Sequence, residues 1–341
     1  MERVLVVGGA GFVGSNLVKY LLKEYSSIEV VIIDNMLSAH PCNIPGDSRV
    51  TFIEGSIADD AILDRVDDSF DYIFHLACYH GNQSSIANPL ADHENNTLTT
   101  LKLFEKIKDF SHLKKVVYSA AGCSVAEKTY DAAKATEEVE KVSLDMDSPY
   151  SMSKVFGEFY SRYYFRQHAL SVVRARFQNV YGPGEILGAG QWRGTPATIW
   201  RNVVPTFIYK SLTDNALPLE NGGEASRDFI FVEDIVRGLV ACALKGEPGD
   251  VYNLATACET TILELAEKIN ELTGNEVPCD ILPRRSWDNS GRRFGSTAKA
   301  TNSLGFTAEV GIDEGLARTV SWTQENFELI TETMQRHEAC V

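Results

Sequence analysis

Val4-Leu-Val-Val-Gly8-Gly-Ala-Gly11-Phe-Val-Gly14 stands near the start of the chain. A short apolar, β-branched run makes a buried strand, the spaced glycines make a turn, and the segment Gly14–Tyr25 carries the spacing of an amphipathic helix. Each glycine has its own task. Gly8 lets the chain turn sharply, Gly11 removes a side chain where backbone must approach a pyrophosphate, and Gly14 lets the helix pack closely on the strand. The helix N-terminus then offers unpaired N–H groups and a positive dipole end to phosphates. Glycines alone also fit an ordinary strand-to-helix turn. Asp34 weighs against that, because it ends the next apolar run, Val30–Ile33. A carboxylate there accepts both hydroxyls of an adenosine ribose and repels a 2′-phosphate. The pattern predicts an NAD site rather than an NADP site.

Working outward, further strands are expected at Thr51–Glu54, Tyr72–Leu76, Val116–Ser119 and Ser171–Ala175, with helices at Pro89–Phe110 and Pro149–His168. Strands alternating with helices imply a parallel sheet covered on both faces. The expected class is therefore α/β: a doubly wound, Rossmann-type parallel sheet with a smaller α/β C-terminal lobe. After Phe177 the texture changes. Residues 182–198 are rich in Gly and Pro, and two more helical stretches follow, near Asp234–Leu244 and Thr261–Leu272. The expected division is residues 1–177 for the dinucleotide domain, with later segments returning to it, and 178–341 mainly for the substrate lobe.

The 341 residues carry a formal net charge of −15, with 44% hydrophobic and 23% charged residues. Ample core material is present. The acidic balance argues against broad nucleic-acid or anionic-membrane binding, but not against an anionic small substrate held by a few focused arginines. Cysteines stand at 42, 78, 123, 242, 258, 279 and 340. Their number is odd and no pair has CxxC spacing, so a disulfide framework or zinc site is not expected and a reducing compartment fits. Neither a signal-peptide pattern nor an apolar run of membrane-spanning length is seen. The expectation is a cytoplasmic protein with no metal.

Tyr150-Ser-Met-Ser-Lys154 places a phenol and an ammonium on one helix face. A nearby cation, helped by the nicotinamide's positive charge, stabilises phenolate, so Tyr150 can take the proton of a substrate hydroxyl while hydride leaves for NAD. Alone, such a pair is usually surface decoration; it gains weight from following the dinucleotide motif.

These motifs stand in order with others: His75-Leu-Ala77, Asn96, Asn179-Val-Tyr-Gly-Pro183, Arg227-Asp-Phe-Ile-Phe-Val-Glu-Asp234, Tyr252-Asn-Leu254 and Arg292-Arg-Phe. The set resembles the extended short-chain dehydrogenase/reductases of the nucleotide-sugar epimerase/dehydratase group, over nearly the whole chain, and is similar to bacterial enzymes of surface-polysaccharide sugar synthesis. The resemblance implies a cofactor set of Gly8, Gly11, Phe12, Val13, Asp34, Asn35, Ser56, Ile57, Leu76, Ala77, Asn96, Ser119, Tyr150 and Lys154. It implies that Asn179, Arg227 and Arg292 contact the nucleotide diphosphate. It also implies a homodimer through the helices at 89–110 and 149–168, with Phe156, Phe159, Tyr160 and Tyr163 supplying aromatic surface.

The departures concern the chemistry. Val7 stands where the family usually has Thr, and Ser56 where it often has Asp. In Tyr118-Ser-Ala-Ala-Gly-Cys-Ser124 the family's substrate-bridging Ser or Thr is Ala121, and the Asp and Glu of the sugar 4,6-dehydratases are Gly122 and Cys123. Three readings stay open: Ser119, Cys123 or Ser124 supplies a polar group, Tyr150 acts without a hydroxyl partner, or the chemistry differs. Cys123 and Ser124 are therefore candidates beside Tyr150 and Lys154. The segment 184–196 is longer than the common family loop and is expected to border the sugar pocket, with Gln191, Trp192 and Arg193 reading a sugar substituent and Arg193 suited to a carboxylate. A lid or dimer contact is the alternative. His80 stands where it can approach the sugar.

The favoured function is an NAD-dependent epimerase of a nucleotide sugar, UDP-sugar first, acting at C4 by oxidation and re-reduction in surface polysaccharide precursor synthesis. A dehydratase or oxidoreductase of the same group is the alternative, and a non-catalytic NAD-binding regulator is the alternative from another class.

Overall fold

The computed structural model describes all residues except 128, 140, 287, 289, 290 and 338–341. Cys340 lies outside the described residues. Seven parallel strands form the central sheet: β1 (Arg3–Val7), β2 (Glu29–Asp34), β3 (Val50–Glu54), β4 (Tyr72–His75), β5 (Lys115–Ala121), β6 (Val172–Phe177) and β7 (Val251–Leu254). Their order is β7-β6-β5-β4-β1-β2-β3. The inner strands are near-continuous apolar runs because helices cover both faces. On one face, helix α1 (Phe12–Glu24) and the helix Val232–Lys245 enclose a core of Val4, Val6, Leu17, Leu21, Ile32, Phe74 and Leu239. On the other, Leu5, Val7, Ile73, Leu103, Phe104 and Tyr164 pack together.

The expected strands are present with ends shifted by a residue or two, and the helix Pro149–His168 has the expected bounds. Ser148 caps it by accepting from the Ser151 N–H, and Pro149 occupies its first turn, where no amide donor is needed. One expectation is corrected. The run Pro89–Phe110 is three pieces: Pro89–Asp92 is α-helical, His93–Leu98 is a wider π-helical turn, and Thr99–Ile107 is α-helical again. Amphipathic spacing alone cannot register a turn that takes one extra residue.

The chain reverses direction across the sheet between β1 and β4, and both strands' carboxyl ends face one crevice. Open parallel sheets bind ligands there. A smaller body of helices, Val203–Leu212, Ile262–Thr273 and Ile312–Glu325, packs around Phe207, Ile208, Leu265, Ile269 and Leu316 and closes the crevice from above. Two short strands, Asn179–Tyr181 and Phe229–Phe231, pair in parallel and set the Asn179 and Arg227 motifs side by side.

Candidate active site

A cavity of about 720 Å³ runs along the carboxyl ends of the strands. At one end lie the glycine turn and Asp34. Gly8 has φ +85°, and a Cβ there would sit 2.5 Å from the Ala77 nitrogen. A Cβ on Gly14 would sit 2.1 Å from the Gly8 carbonyl oxygen. Both positions therefore admit only glycine without rearrangement. The first turn of α1 has no side-chain cap, since its N-cap is Gly11, so its N–H groups face the cavity unblocked. Asp34 accepts from the Ala10 and Met36 N–H groups at 3.0 and 2.9 Å, which fixes its carboxylate at the end of β2. Burial is the larger influence on this carboxyl and pushes its pKa up, while those backbone donors pull it down. Phe12, Val13, Asn35, Ser56, Ile57, Leu76, Ala77 and Ser119 line the same stretch. Cradle, open helix end and ribose-facing carboxylate together fit a dinucleotide.

In the middle stand Tyr150 and Lys154. Lys154 is buried and donates to the Ser119 carbonyl at 2.8 Å and to the Ser119 hydroxyl at 3.3 Å. Its ammonium lies 5.9 Å from the centre of the Tyr150 ring. Burial first, and then Cys78 and Cys123, hold the Tyr150 phenol well above its ordinary pKa. The protein alone therefore keeps the phenol protonated. Ala121 and Cys123 line the wall beside it, and the His80 ring stands edge-on at 5.8 Å.

At the far end Lys210, Arg227, Arg284, Arg285 and Arg293 line the wall with Asn179 and Phe229. Arg227 donates to the Ser226 and Gly291 carbonyls, both at 2.6 Å. Burial, followed by the nearby Arg293, lowers its pKa to about 9, which leaves it cationic at neutral pH. Asp228 fastens this wall down: it accepts from Thr256, Ala257 and Gly295.

The family model described as NAD dependent epimerase/dehydratase matches residues 4–255. The chain belongs to this family. Among solved structures, the Bordetella bronchiseptica enzyme WbmF, in complex with NAD+ and UDP, is 60% identical with a TM-score of 0.89, covering 100% of this chain and 97% of that one. A putative UDP-glucose 4-epimerase of Methanocaldococcus jannaschii is 28% identical over 325 residues, 95% of this chain and 99% of that protein. A dTDP-D-glucose 4,6-dehydratase of Dictyostelium discoideum is 28% identical over 281 residues, 79% of this chain; the match spans 62% of that longer protein.

Within this epimerase/dehydratase site several expected residues take other places. Arg292 turns away and forms a two-pronged pair with Glu259, at 2.8 Å to each oxygen. Its neighbour Arg293 faces the cavity instead, because successive residues of an extended segment point to opposite sides. Gln191 is exposed and outside the cavity wall; its backbone N–H donates to the Leu37 carbonyl. Arg193 is buried behind the wall, stacked 4.8 Å over the Tyr79 ring and donating to the Ser38 hydroxyl. Ser124 is buried by the short helical turn Gly122–Ser124, outside the wall, and its hydroxyl has no hydrogen-bond partner among the described residues. Asn96 does not line the cavity; it is buried and exchanges hydrogen bonds with the Tyr79 backbone, so it positions the loop over the cofactor end. Sequence reading missed Gln178. A Cβ on Gly122 would sit 2.3 Å from its amide nitrogen, so Gln178 fills the space beside Gly122. Its place directly before the Asn179 motif was the available signal. Glu185, Arg201 and Asn202 were missed too, since the loop reading fixed on residues nearer its middle. Among the described residues no three His, Cys, Asp or Glu side chains are grouped to hold a metal ion.

Proposed function

We propose that this member of the family is an NAD-dependent epimerase of a UDP-sugar, inverting C4 through a transient ketone. The observation that carries the reading is the placement of Tyr150 over Lys154 midway between the glycine cradle and the cationic wall. Gly8, Gly11 and the open end of α1 hold the cofactor diphosphate, and Asp34 takes the adenosine ribose. NAD held there would supply the hydride acceptor and donor for the carbinol carbon and a positive charge beside the phenol. Tyr150 removes and restores the hydroxyl proton. Lys154 favours its phenolate form and is itself held by Ser119. Arg227, Arg293 and Asn179 hold the nucleotide diphosphate.

The dehydratase alternative requires an acid pair beside the sugar. Gly122 and Cys123 supply no carboxyl, and Gln178 occupies the adjoining space. The readiness of WbmF to carry NAD+ and UDP together supports the choice of cofactor and nucleotide. Incubation with UDP-, dTDP- and GDP-sugars, read by mass and proton NMR, tests this. Epimerisation leaves mass unchanged and inverts one coupling pattern; loss of water, or no turnover with NADH accumulating, refutes it.

The reading extends to a homodimer, to the cytoplasm and to surface-polysaccharide precursor synthesis. No described helix is long and apolar enough to cross a membrane. Leu90, Met152, Phe156, Phe159 and Tyr163 are exposed on the two helical segments expected to pair, whereas Tyr160 packs inward. A contiguous apolar face of that kind marks an interaction surface. The division into a cofactor domain (1–177) and a substrate lobe (178–341) is part of the same reading.

A further inference from the structure

Two groups of cations stand at the cavity, and their main charged neighbours among the described residues differ. Arg227 has Arg293 and Asp288 as its charged surroundings. Arg201 has Arg193 and Glu185. The first group answers to the nucleotide diphosphate. The second stands beside the reacting centre: Arg201, Arg193 and Lys154 all act on His80, whose ring lies 5.8 Å from that of Tyr150.

Arg201 lines the cavity wall. Its Nη1 donates to the Ser38 carbonyl at 2.6 Å and its Nε to the Thr198 carbonyl at 3.3 Å. These are neutral acceptors that orient the guanidinium without neutralising it. Burial brings its pKa down to about 10, so it remains cationic at neutral pH. Glu185 is the acid acting on it. Asn202 donates to Glu185 Oε1, and Oε2 is buried with no hydrogen-bond partner among the described residues. Burial pushes this carboxyl up to about 7. At neutral pH this group is about half protonated, so it offsets the local charge only in part and its protonated form can donate from Oε2. His80, lowered to about 4 by burial and then by the three cations, is neutral. The result is a net positive corner with hydrogen-bond donors next to the catalytic tyrosine, inside a protein of net charge −15.

An oriented guanidinium in a desolvated site calls for an anion. We propose that the sugar of the UDP-sugar substrate carries a carboxylate, a hexuronate type, and that Arg201, with Asn202 and Glu185 beside it, is the residue set that recognises it. This rests on the epimerase reading above and names its substrate class. A diphosphate of the cofactor offers the same anionic chemistry, so the test separates the two sources.

The test measures binding of UDP, UDP-glucose, UDP-galactose, UDP-glucuronate and UDP-galacturonate to the NAD-loaded protein by calorimetry, for the natural chain and for Arg201→Met. The uronates are expected to bind at least tenfold more tightly than the neutral sugars. Arg201→Met is expected to erase that advantage while leaving UDP, the neutral sugars and the amount of retained NAD unchanged. Uronates binding no better than UDP-glucose overturn the proposal while UDP binding keeps the epimerase reading standing. Failure of UDP itself to bind overturns both. Loss of NAD from Arg201→Met with the uronate preference intact assigns the arginine to the cofactor diphosphate and overturns the proposal as well. Should Arg201→Met not fold, the comparison of sugars on the natural chain decides alone.

Discussion

Replacing Glu185 with Gln isolates the cost of keeping one buried carboxylate. Glu185 is 5% exposed, and its carboxyl sits at about 7 against an ordinary 4.5. Desolvation is the main cause; the Asn202 hydrogen bond and Arg201 offset it in part. The direction follows from proton linkage. Between 4.5 and 7 the folded chain binds more protons at this group than the unfolded chain does, so stability declines as pH rises through that window and the loss is complete above 7. At about 1.4 kcal/mol per tenfold change in proton affinity, the full loss is roughly 3 kcal/mol. Glutamine keeps the acceptor for Asn202 and removes the ionisation. Glu185→Gln is therefore expected to match the natural chain near pH 4.5 and to exceed it by about 2–3 kcal/mol at pH 8. Urea unfolding of the cofactor-free protein at a series of pH values measures the gap. A gap that stays constant from pH 4.5 to 8, or a variant weaker at pH 8, refutes the reasoning.

Tyr150→Phe is expected to lose roughly 10²–10⁴-fold in turnover, the usual worth of general acid–base catalysis, while Ala121→Ser is tolerated or raises activity. A Tyr150→Phe enzyme that stays active while Cys123→Ala is dead would move the base to the Gly122–Ser124 turn. Asp34→Ala should weaken NAD binding in direct titration, and a natural protein that prefers NADP would contradict the ribose assignment. Gly157→Ala places a Cβ 1.9 Å from the Tyr118 hydroxyl, so a loss of about 1–3 kcal/mol is expected in unfolding experiments. Phe156→Glu with Phe159→Glu is expected to yield a monomer by light scattering at micromolar concentration; a monomeric natural chain removes the dimer assignment.

The cofactor half of the cavity was legible in the sequence because backbone constraints write themselves as glycines. Gly8 and Gly14 touch main chain directly, and Asp34 ends a strand whose register is fixed by its apolar run. Tyr150 and Lys154 were legible for a similar reason: one helical turn relates them whatever else surrounds them. The sugar-side loop was not. Whether Gln191, Arg193 or Arg201 reaches the cavity depends on how residues 184–202 fold against Leu37 and Ser38, a contact between segments about 150 residues apart. Charge and type favoured Arg193, yet stacking on Tyr79 buries it behind the wall. At the other end Arg292 and Arg293 are indistinguishable by type, and only the direction of an extended backbone separates them.

The π-helical turn His93–Leu98 lets this region carry one extra residue while the helix on either side keeps its phase. Deleting one residue within it would restore a uniform helix and gain regular hydrogen bonds, and would leave everything downstream in its present phase, because the wide turn has absorbed that residue. Leu103, Phe104 and Ile107 would stay in the core, whereas the Asn96 amide, inside the wide turn, would lose the Tyr79 backbone that it holds. Local regularity and the alignment of the cofactor loop are thus alternatives at this point of the chain. A homologue shorter by one residue here is expected to have rebuilt the loop at 77–80 along with it.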